Sequence, residues 1–281
     1  MIENKKSKFF KNVNLSKIDN KFVELKNNQR LALMPFLMAG DPSIEITSKI
    51  LLKLQEKGAD LIELGIPYSD PLADGPIIQF SASRALKSGT TTIKVIQLLE
   101  SLKGELHIPV ILFTYFNPVL SFGFEDFCAL ASKAGVAGLI IPDLPLEEAY
   151  KFSKIIKSYS IDLILLVAPT TPPERMKMIS NNTRGFTYLV SVTGVTGERN
   201  KMENRVESLI TKLKEISINP VAVGFGISSP EHVNKVHKWG ADGVIIGSAF
   251  VKRISSCNEE EVVDQIGDFC EEMRKAADEK I

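Results

Sequence analysis

Short apolar runs alternate along the chain with longer amphipathic segments. Eight runs rich in apolar residues have the length and boundaries of buried strands: residues 32–38, 61–64, 110–114, 138–141, 163–167, 186–190, 221–223 and 243–246. Apolar residues at helical spacing fill the intervals, as in residues 44–57, 92–103, 124–133, 147–158, 202–216 and 231–239. Eight strand–helix units in roughly 250 residues favour a closed parallel (β/α)8 barrel, the TIM-barrel fold, over an open doubly wound sheet.

Two amphipathic segments lie outside this alternation. Residues 16–28 predict an additional N-terminal helix that covers the N-terminal mouth of the barrel, and residues 259–280 predict the last helix. No linker interrupts the alternation, so residues 1–281 are expected to form a single domain.

Composition narrows the class of ligand. The chain has 34 basic and 34 acidic side chains, so no net field favours nucleic acid or an anionic membrane, and a small-molecule ligand is expected. No apolar stretch approaches the ~20 residues of a membrane span, and the first residues lack a signal-peptide core. The sequence therefore predicts a cytoplasmic protein, or a stromal one if it is plastid-encoded. The three cysteines are widely spaced and lack a CxxC pair, so neither disulfides nor a zinc site is expected.

The segment at residues 60–79, DLIELGIPYSDPLADGPIIQ, carries an acid inside an apolar run and two more acids in the loop that follows. A carboxylate at Glu63 on a buried strand is desolvated, which raises its pKa and permits proton transfer near neutral pH. Asp70 and Asp74 lie where the loop can fold back over it. An alternative is that Glu63 faces solvent at a sheet edge and the aspartates cap turns, and the local pattern alone fits both.

Other reactive side chains fit the active face of a barrel less well. His107 precedes the third strand, His232 and His237 fall in the seventh helix, and no lysine lies at a strand end. These positions disfavour a histidine base, a histidine-bound metal and a Schiff base at the carboxyl ends of the strands, where barrel active sites lie. Asp143 is expected to cap the next helix or brace loops, and Asp41 to cap the helix that follows it.

Glycines and aromatic residues follow several strands. Glycine clusters at residues 194–197, 224–228 and 247–248 follow the last three strands and predict converging backbone N–H groups for a phosphate, although each cluster alone fits an ordinary turn. Aromatic residues at strand ends suit the floor of a flat apolar pocket, with barrel packing as the alternative for each one: Phe36, Phe113, Tyr188 and Phe225.

The sequence at residues 64–79, LGIPYSDPLADGPIIQ, closely resembles the signature of the tryptophan synthase alpha subunit family. The three glycine clusters match that family in order and spacing, and the resemblance extends from Met34 to the last helix. It implies a barrel that cleaves indole-3-glycerol phosphate to indole and glyceraldehyde 3-phosphate, a retro-aldol reaction that needs no cofactor or metal. It also implies a pyridoxal-phosphate beta subunit as partner in an α2β2 assembly.

The resemblance also assigns expected roles to individual residues. By position, Glu63 matches the proton-transferring glutamate, Asp74 its partner at the indole nitrogen, and Thr196 a loop residue that engages this aspartate on closure. Indole-pocket positions are matched by Phe36, Tyr188 and Phe225, and phosphate positions by Gly197, Gly226, Gly247 and Ser248. The loops around the active mouth are expected to contact the beta subunit through Asp70, Pro71, Asn117, Pro118 and Pro145. The alternatives are a free-standing indole-3-glycerol phosphate lyase and a weakly catalytic activator of a beta subunit.

Overall fold

The computed structural model describes residues 15–190, 199–224 and 226–279, with nine strands and twelve helices in these ranges. In chain order they are α1 (Lys17–Asn27), β1 (Ala32–Met38), α2 (Ile44–Glu56), β2 (Ile62–Gly65), α3 (Pro76–Lys87), α4 (Thr92–Ser101), β3 (Val110–Phe113), α5 (Phe116–Phe122), α6 (Phe124–Lys133), β4 (Gly138–Ile140), α7 (Leu146–Ser158), β5 (Asp162–Ile164), β6 (Leu166–Val167), α8 (Pro173–Asn182), β7 (Thr187–Val190), α9 (Arg199–Ile216), β8 (Val221–Gly224), α10 (Pro230–Lys238), β9 (Gly243–Ile246), α11 (Ser248–Ser256) and α12 (Val262–Ala277).

The strands form one parallel sheet that curves into a nearly closed barrel. Its order is β5-β4-β3-β2-β1-β9-β8-β7-β6, and β5 and β6 are consecutive pieces of one strand position, so the two ends of the order meet. The run predicted at residues 163–167 is interrupted at Leu165, whose N–H donates to Thr183 Oγ1 at 2.9 Å instead of to a neighbouring strand. With β5 and β6 counted together, the predicted (β/α)8 barrel is confirmed.

The N-terminal mouth of the barrel is closed by α1, as predicted. Ile18, Phe22 and Leu25 are buried in one cluster with inward-facing strand residues, and the Phe22 ring lies 5.7 Å from that of Phe186. The helix begins with a capping box, in which the Ser16 hydroxyl accepts from the Asp19 N–H. This end of the barrel is therefore filled, and the opposite end is left for a ligand.

The last helix is fastened to the same closed end by a buried ion pair. Arg274 Nη1 donates to Asp60 Oδ2 at 2.6 Å, and both side chains are about 8% exposed. The same carboxylate oxygen accepts the Leu33 N–H at 2.9 Å, and Arg274 Nη2 donates to the Leu31 carbonyl at 3.1 Å. These bonds satisfy a charge that is costly to bury alone, and they tie α12 to the start of β1.

The expectation that Asp41 caps a helix is wrong. Ser43 is the N-cap of α2, and its hydroxyl accepts the Ile46 N–H at 3.2 Å. Asp41 is buried instead, where it accepts two hydrogen bonds from the Arg84 guanidinium, at 2.8 and 2.6 Å, and a third from the Ser81 hydroxyl. Because a buried carboxylate needs such partners, Asp41 joins the loop after β1 to α3.

Candidate active site

Strand β2 places Glu63 inside the barrel. Successive side chains of a strand point to opposite faces of the sheet. Leu61 lies in the interior cluster, and Ile62 and Leu64 pack outward against the helices, so Glu63 points inward. It lies in register between Phe36 of β1 and Ile111 of β3 and is only 3% exposed. The alternative in which this side chain faces solvent at a sheet edge is wrong.

The environment of Glu63 favours its neutral form. Burial, followed by the charge of Asp74, raises the pKa of Glu63 to about 8. Its carboxyl group therefore carries a proton at neutral pH and can donate it to a bound molecule. The same group, once ionised, can take a proton back.

This buried acid should also make stability depend on pH. The pKa of Glu63 rises from an ordinary 4.5 to about 8 in the folded chain, so the folded state holds a proton that the unfolded state releases between those values. Stability contributed by this group is thus lost as the pH rises through that window. We therefore compare the free energies of unfolding of Glu63→Gln and wild type, measured with urea at about pH 5 and about pH 8. The stability of Glu63→Gln relative to wild type is expected to be more than about 1 kcal/mol higher at the upper pH than at the lower one. If the difference in stability between variant and wild type were the same at both pH values, Glu63 could not be a buried, protonated acid.

Asp74 lies half-buried in the loop between β2 and α3. Burial raises the pKa of Asp74 to about 6, and a hydrogen bond from the Tyr115 hydroxyl opposes this rise. The loop folds back on itself, since the Asp74 N–H donates to the Pro71 carbonyl at 3.1 Å. At neutral pH the site therefore combines a neutral acid with a charged carboxylate, an arrangement that separates proton donation from charge stabilisation.

Tyr188 faces both carboxylates from β7, across the barrel. It is 8% exposed, and burial together with the charges of Glu63 and Asp74 raises its pKa, so the phenol stays protonated. Its hydroxyl lies 2.6 Å from the position that a Cβ would take at Gly224. Glycine at the end of β8 therefore leaves the space that the Tyr188 hydroxyl occupies.

Aromatic rings form a continuous wall at the mouth of the barrel. The rings of Phe36 and Phe113 meet edge to face with centroids 5.8 Å apart, and those of Phe113 and Tyr115 do so at 6.3 Å. The wall thus runs from the strand next to Glu63 to the residue that bonds Asp74. Such a surface suits a flat apolar ring with a polar edge.

The other end of the wall meets a helix N-terminus. Gly247 is the N-cap of α11 and Ser248 its first residue, and a Cβ at Gly247 would lie 3.6 Å from the Cβ of Phe36. The first N–H groups of a helix have no partner within it, and the helix dipole favours an anion there. Gly226 follows the neighbouring strand β8 with φ +45°, a conformation that favours glycine.

Three expected site residues, Thr196, Gly197 and Phe225, lie outside the described residues. The remaining ones, Glu63, Asp74, Phe36, Tyr188, Gly226, Gly247 and Ser248, all lie on strands at the open end of the barrel or follow them. Asp143 braces a loop and does not cap α7, because its Oδ1 accepts the Phe116 N–H at 2.9 Å and Pro145 holds the N-cap position. Sequence reasoning did not single out Tyr115, although it follows β3 as closely as the other candidates follow their strands.

The described residues include no group of three or more His, Cys, Asp or Glu side chains arranged to hold a metal ion. His107 precedes β3 at the closed end, and His232 and His237 lie in α10, as the sequence predicted. In the described part of the open end, the site brings together the carboxyl groups of Glu63 and Asp74 and the phenol groups of Tyr115 and Tyr188.

The fold and the paired carboxyl groups define a barrel enzyme with a candidate acid–base site at the carboxyl ends of its strands. A family model described as tryptophan synthase alpha chain matches residues 22–278. The tryptophan synthase alpha chain of Prochlorococcus marinus subsp. pastoris is 84% identical over 279 residues, which covers 99% of this chain and 100% of that protein. A crystal structure of the alpha subunit from Legionella pneumophila matches with TM-score 0.87 and 35% identity, covering 94% of this chain and 99% of that one. A tryptophan synthase structure from M. tuberculosis matches with TM-score 0.84 and 31% identity, covering 93% and 98%.

The chain belongs to the tryptophan synthase alpha chain family. It is a carbon–carbon lyase of tryptophan biosynthesis, which cleaves indole-3-glycerol phosphate to indole and glyceraldehyde 3-phosphate and works with a beta subunit.

Proposed function

We propose that Glu63 and Asp74 carry out this cleavage. Glu63 donates a proton to indole C3, the bond from C3 to the glycerol side chain breaks, and its electrons return to the ring. The glycerol hydroxyl on the departing carbon loses its proton to the Glu63 carboxylate, which restores the acid and leaves an aldehyde. Asp74 stabilises the positive charge that the ring nitrogen carries after C3 is protonated. The observation that most supports this division is the burial of Glu63, which keeps it protonated beside an ionised Asp74.

We propose that Phe36, Tyr188 and Phe225 enclose the indole ring and that Thr196 engages Asp74 when its loop closes. The substrate phosphate binds to backbone N–H groups of Gly197, Gly226, Gly247 and Ser248. The closeness of Gly247 to Phe36, where an added Cβ would lie 3.6 Å from the Phe36 Cβ, supports this placement, since one ligand can then reach both the aromatic wall and the helix N-terminus.

A side chain at Gly247 should interfere with phosphate binding. Gly247 has φ −104°, and an added Cβ would meet Phe36 at ordinary contact distance, so Gly247→Val is expected to fold. Its methyl groups would occupy the space between the aromatic wall and the helix N-terminus. We expect at least about tenfold weaker binding of glycerol phosphate in calorimetric titration, or about 1.4 kcal/mol. Ser255→Val, in the last turn of the same helix, is the control, and equal affinity in both folded variants would place the phosphate elsewhere.

We propose that the beta subunit docks on the loops around the open mouth, in an α2β2 assembly. The loops carry Asp70, Pro71 and Pro145, and Asn117 and Pro118 lie beside them in the first turn of α5. Leu72, next to Pro71, is 93% exposed, and so exposed a leucine at this rim fits a surface that a partner covers. Such a partner would order the loops and bring Asp74 and Thr196 into their working positions.

The isolated chain should accordingly be slow. Adding a cognate beta subunit is expected to raise its rate of indole formation by at least tenfold, which lowers the barrier by about 1.4 kcal/mol. The rate of indole formation is measured for the chain alone and for its mixture with the beta subunit, and sedimentation shows whether a complex has formed. Equal rates without a complex would favour the free-standing lyase, and indole formation by neither sample would favour a weakly catalytic activator.

We also propose that residues 1–281 form one domain, which the single continuous sheet supports. We propose a cytoplasmic location, which the bacterial relatives support, with a stromal one as the alternative if the chain is plastid-encoded. Among the helices of the described ranges, none is long and apolar enough to cross a membrane.

A further inference from the structure

Tyr115 joins the loop that carries Asp74 to the rigid part of the barrel. It lies two residues after β3 and is only 3% exposed. Its ring packs edge-on against Phe113, with centroids 6.3 Å apart, and lies 5.5 Å from the ring of Tyr68. Because two neighbouring rings hold the side chain, its hydroxyl has a fixed place above the loop.

The hydroxyl acts on two adjacent residues of that loop. Its oxygen accepts the Ala73 N–H at 3.0 Å, and its presence beside the Asp74 carboxyl group lowers the pKa of that group. The bond from Ala73 leaves the single phenol proton unused, and an ionised carboxylate can only accept, so this proton is available to Asp74. The bond to Ala73 therefore fixes the backbone beside Asp74, and the O–H group gives the Asp74 side chain a donor to turn toward.

We propose that Tyr115 is a positioning residue for the cleavage reaction: its hydroxyl holds the loop at Ala73 and aims the Asp74 carboxylate into the barrel mouth. This inference rests on the proposed role of Asp74. Tyr115 comes from the barrel and holds Asp74 before any loop closes, whereas the partner expected at Thr196 acts on closure.

The electrostatics of the pair agree with this geometry. A hydrogen bond to the charged form of a carboxyl group stabilises that form, so the Tyr115 hydroxyl holds the pKa of Asp74 below the value that burial alone would give. Burial and the charge of Asp74 raise the pKa of Tyr115, which keeps the phenol protonated as a donor. Among the described residues, the other titratable side chains around the pair are Glu63 and Tyr188 in the barrel and Asp143 and Tyr68 beside Tyr115, and these four are not cations.

The test is the pH profile of Tyr115→Phe with saturating beta subunit. Phenylalanine keeps the ring contacts but removes the hydroxyl, and with it the bond to Ala73 and the group that lowers the pKa of Asp74, so less Asp74 is ionised at a given pH. We expect the acidic limb of kcat/KM for indole-3-glycerol phosphate to move up by about one pH unit, with about fivefold lower activity near pH 6 and a smaller loss near pH 8. The substrate phosphate also titrates near pH 6, and this contribution is the same for every variant. The position of the acidic limb is therefore compared between the variants and wild type.

Tyr68→Phe is the matched control. Tyr68 lies against Tyr115, but its hydroxyl accepts from Asn117 Nδ2 of α5 at 3.1 Å and not from the residues next to Asp74. An acidic limb that moves in Tyr115→Phe and stays in Tyr68→Phe supports the inference, and an unmoved limb in Tyr115→Phe, or equal shifts in both, overturns it. Asp74→Asn separates this result from a failure of the proposed function, because unchanged turnover in that variant would remove Asp74 itself from the mechanism.

Discussion

Replacing Glu63 with glutamine is expected to lower the turnover of indole-3-glycerol phosphate by at least about 100-fold, the lower end of the usual range for general acid–base catalysis. Glutamine keeps the size of the side chain and its place between Phe36 and Ile111, but it can neither donate a proton to indole C3 nor take one from the glycerol hydroxyl. Because the proposed phosphate contacts lie at the strand ends and α11, away from Glu63, affinity for glycerol phosphate should persist.

The measurement is the single-turnover rate of indole formation with the beta subunit present. Glu45→Gln provides a matched control. Glu45 is exposed in the first turn of α2, so this substitution makes the same chemical change outside the barrel. A rate for Glu63→Gln within a few-fold of wild type would show that another group transfers the proton.

Replacing Asp74 with asparagine should lower turnover by about 100-fold, comparable to the loss of one group that stabilises transition-state charge. Asparagine can still accept the indole N–H, but it carries no negative charge to offset the positive charge of the protonated ring. We expect kcat to fall with little change in glycerol phosphate affinity, because the lost interaction is strongest in the transition state. Steady-state kinetics of Asp74→Asn test this expectation, with Asp126→Asn, at an exposed position in α6, as the control. A raised KM with unchanged kcat would assign Asp74 to substrate binding only.

The strands could be predicted from the sequence because each is a short apolar run bounded by turn residues. The bounds of β1 and β9 match the prediction, and those of β3, β4 and β8 differ by a single residue. Helices α3, α5, α8 and α11 were not predicted, although α3 and α8 begin with proline, which is favoured in the first turn. Their sequences are short or mixed in character, and packing against the barrel decides their structure.

The site was predictable as far as its residues carry local signals. An acid within an apolar run identified Glu63, and a long motif identified Asp74. Tyr115 bonds a residue 42 positions away, and Asp41 pairs with Arg84, 43 positions away. No spacing within one segment reveals such contacts, because they form only when the barrel brings its loops together. Asp41 was misassigned for the same reason, since Asp before Pro matches a helix start locally.

The most direct test of the central claim follows both products in one reaction. Indole-3-glycerol phosphate is incubated with the beta subunit and either the wild-type chain or Glu63→Gln, and indole and glyceraldehyde 3-phosphate are quantified together over time. The wild-type chain should form the two products in equal amounts, and Glu63→Gln should form both at least about 100-fold more slowly. Unequal products from the wild type, or similar rates from the two chains, would contradict retro-aldol cleavage by a buried glutamate.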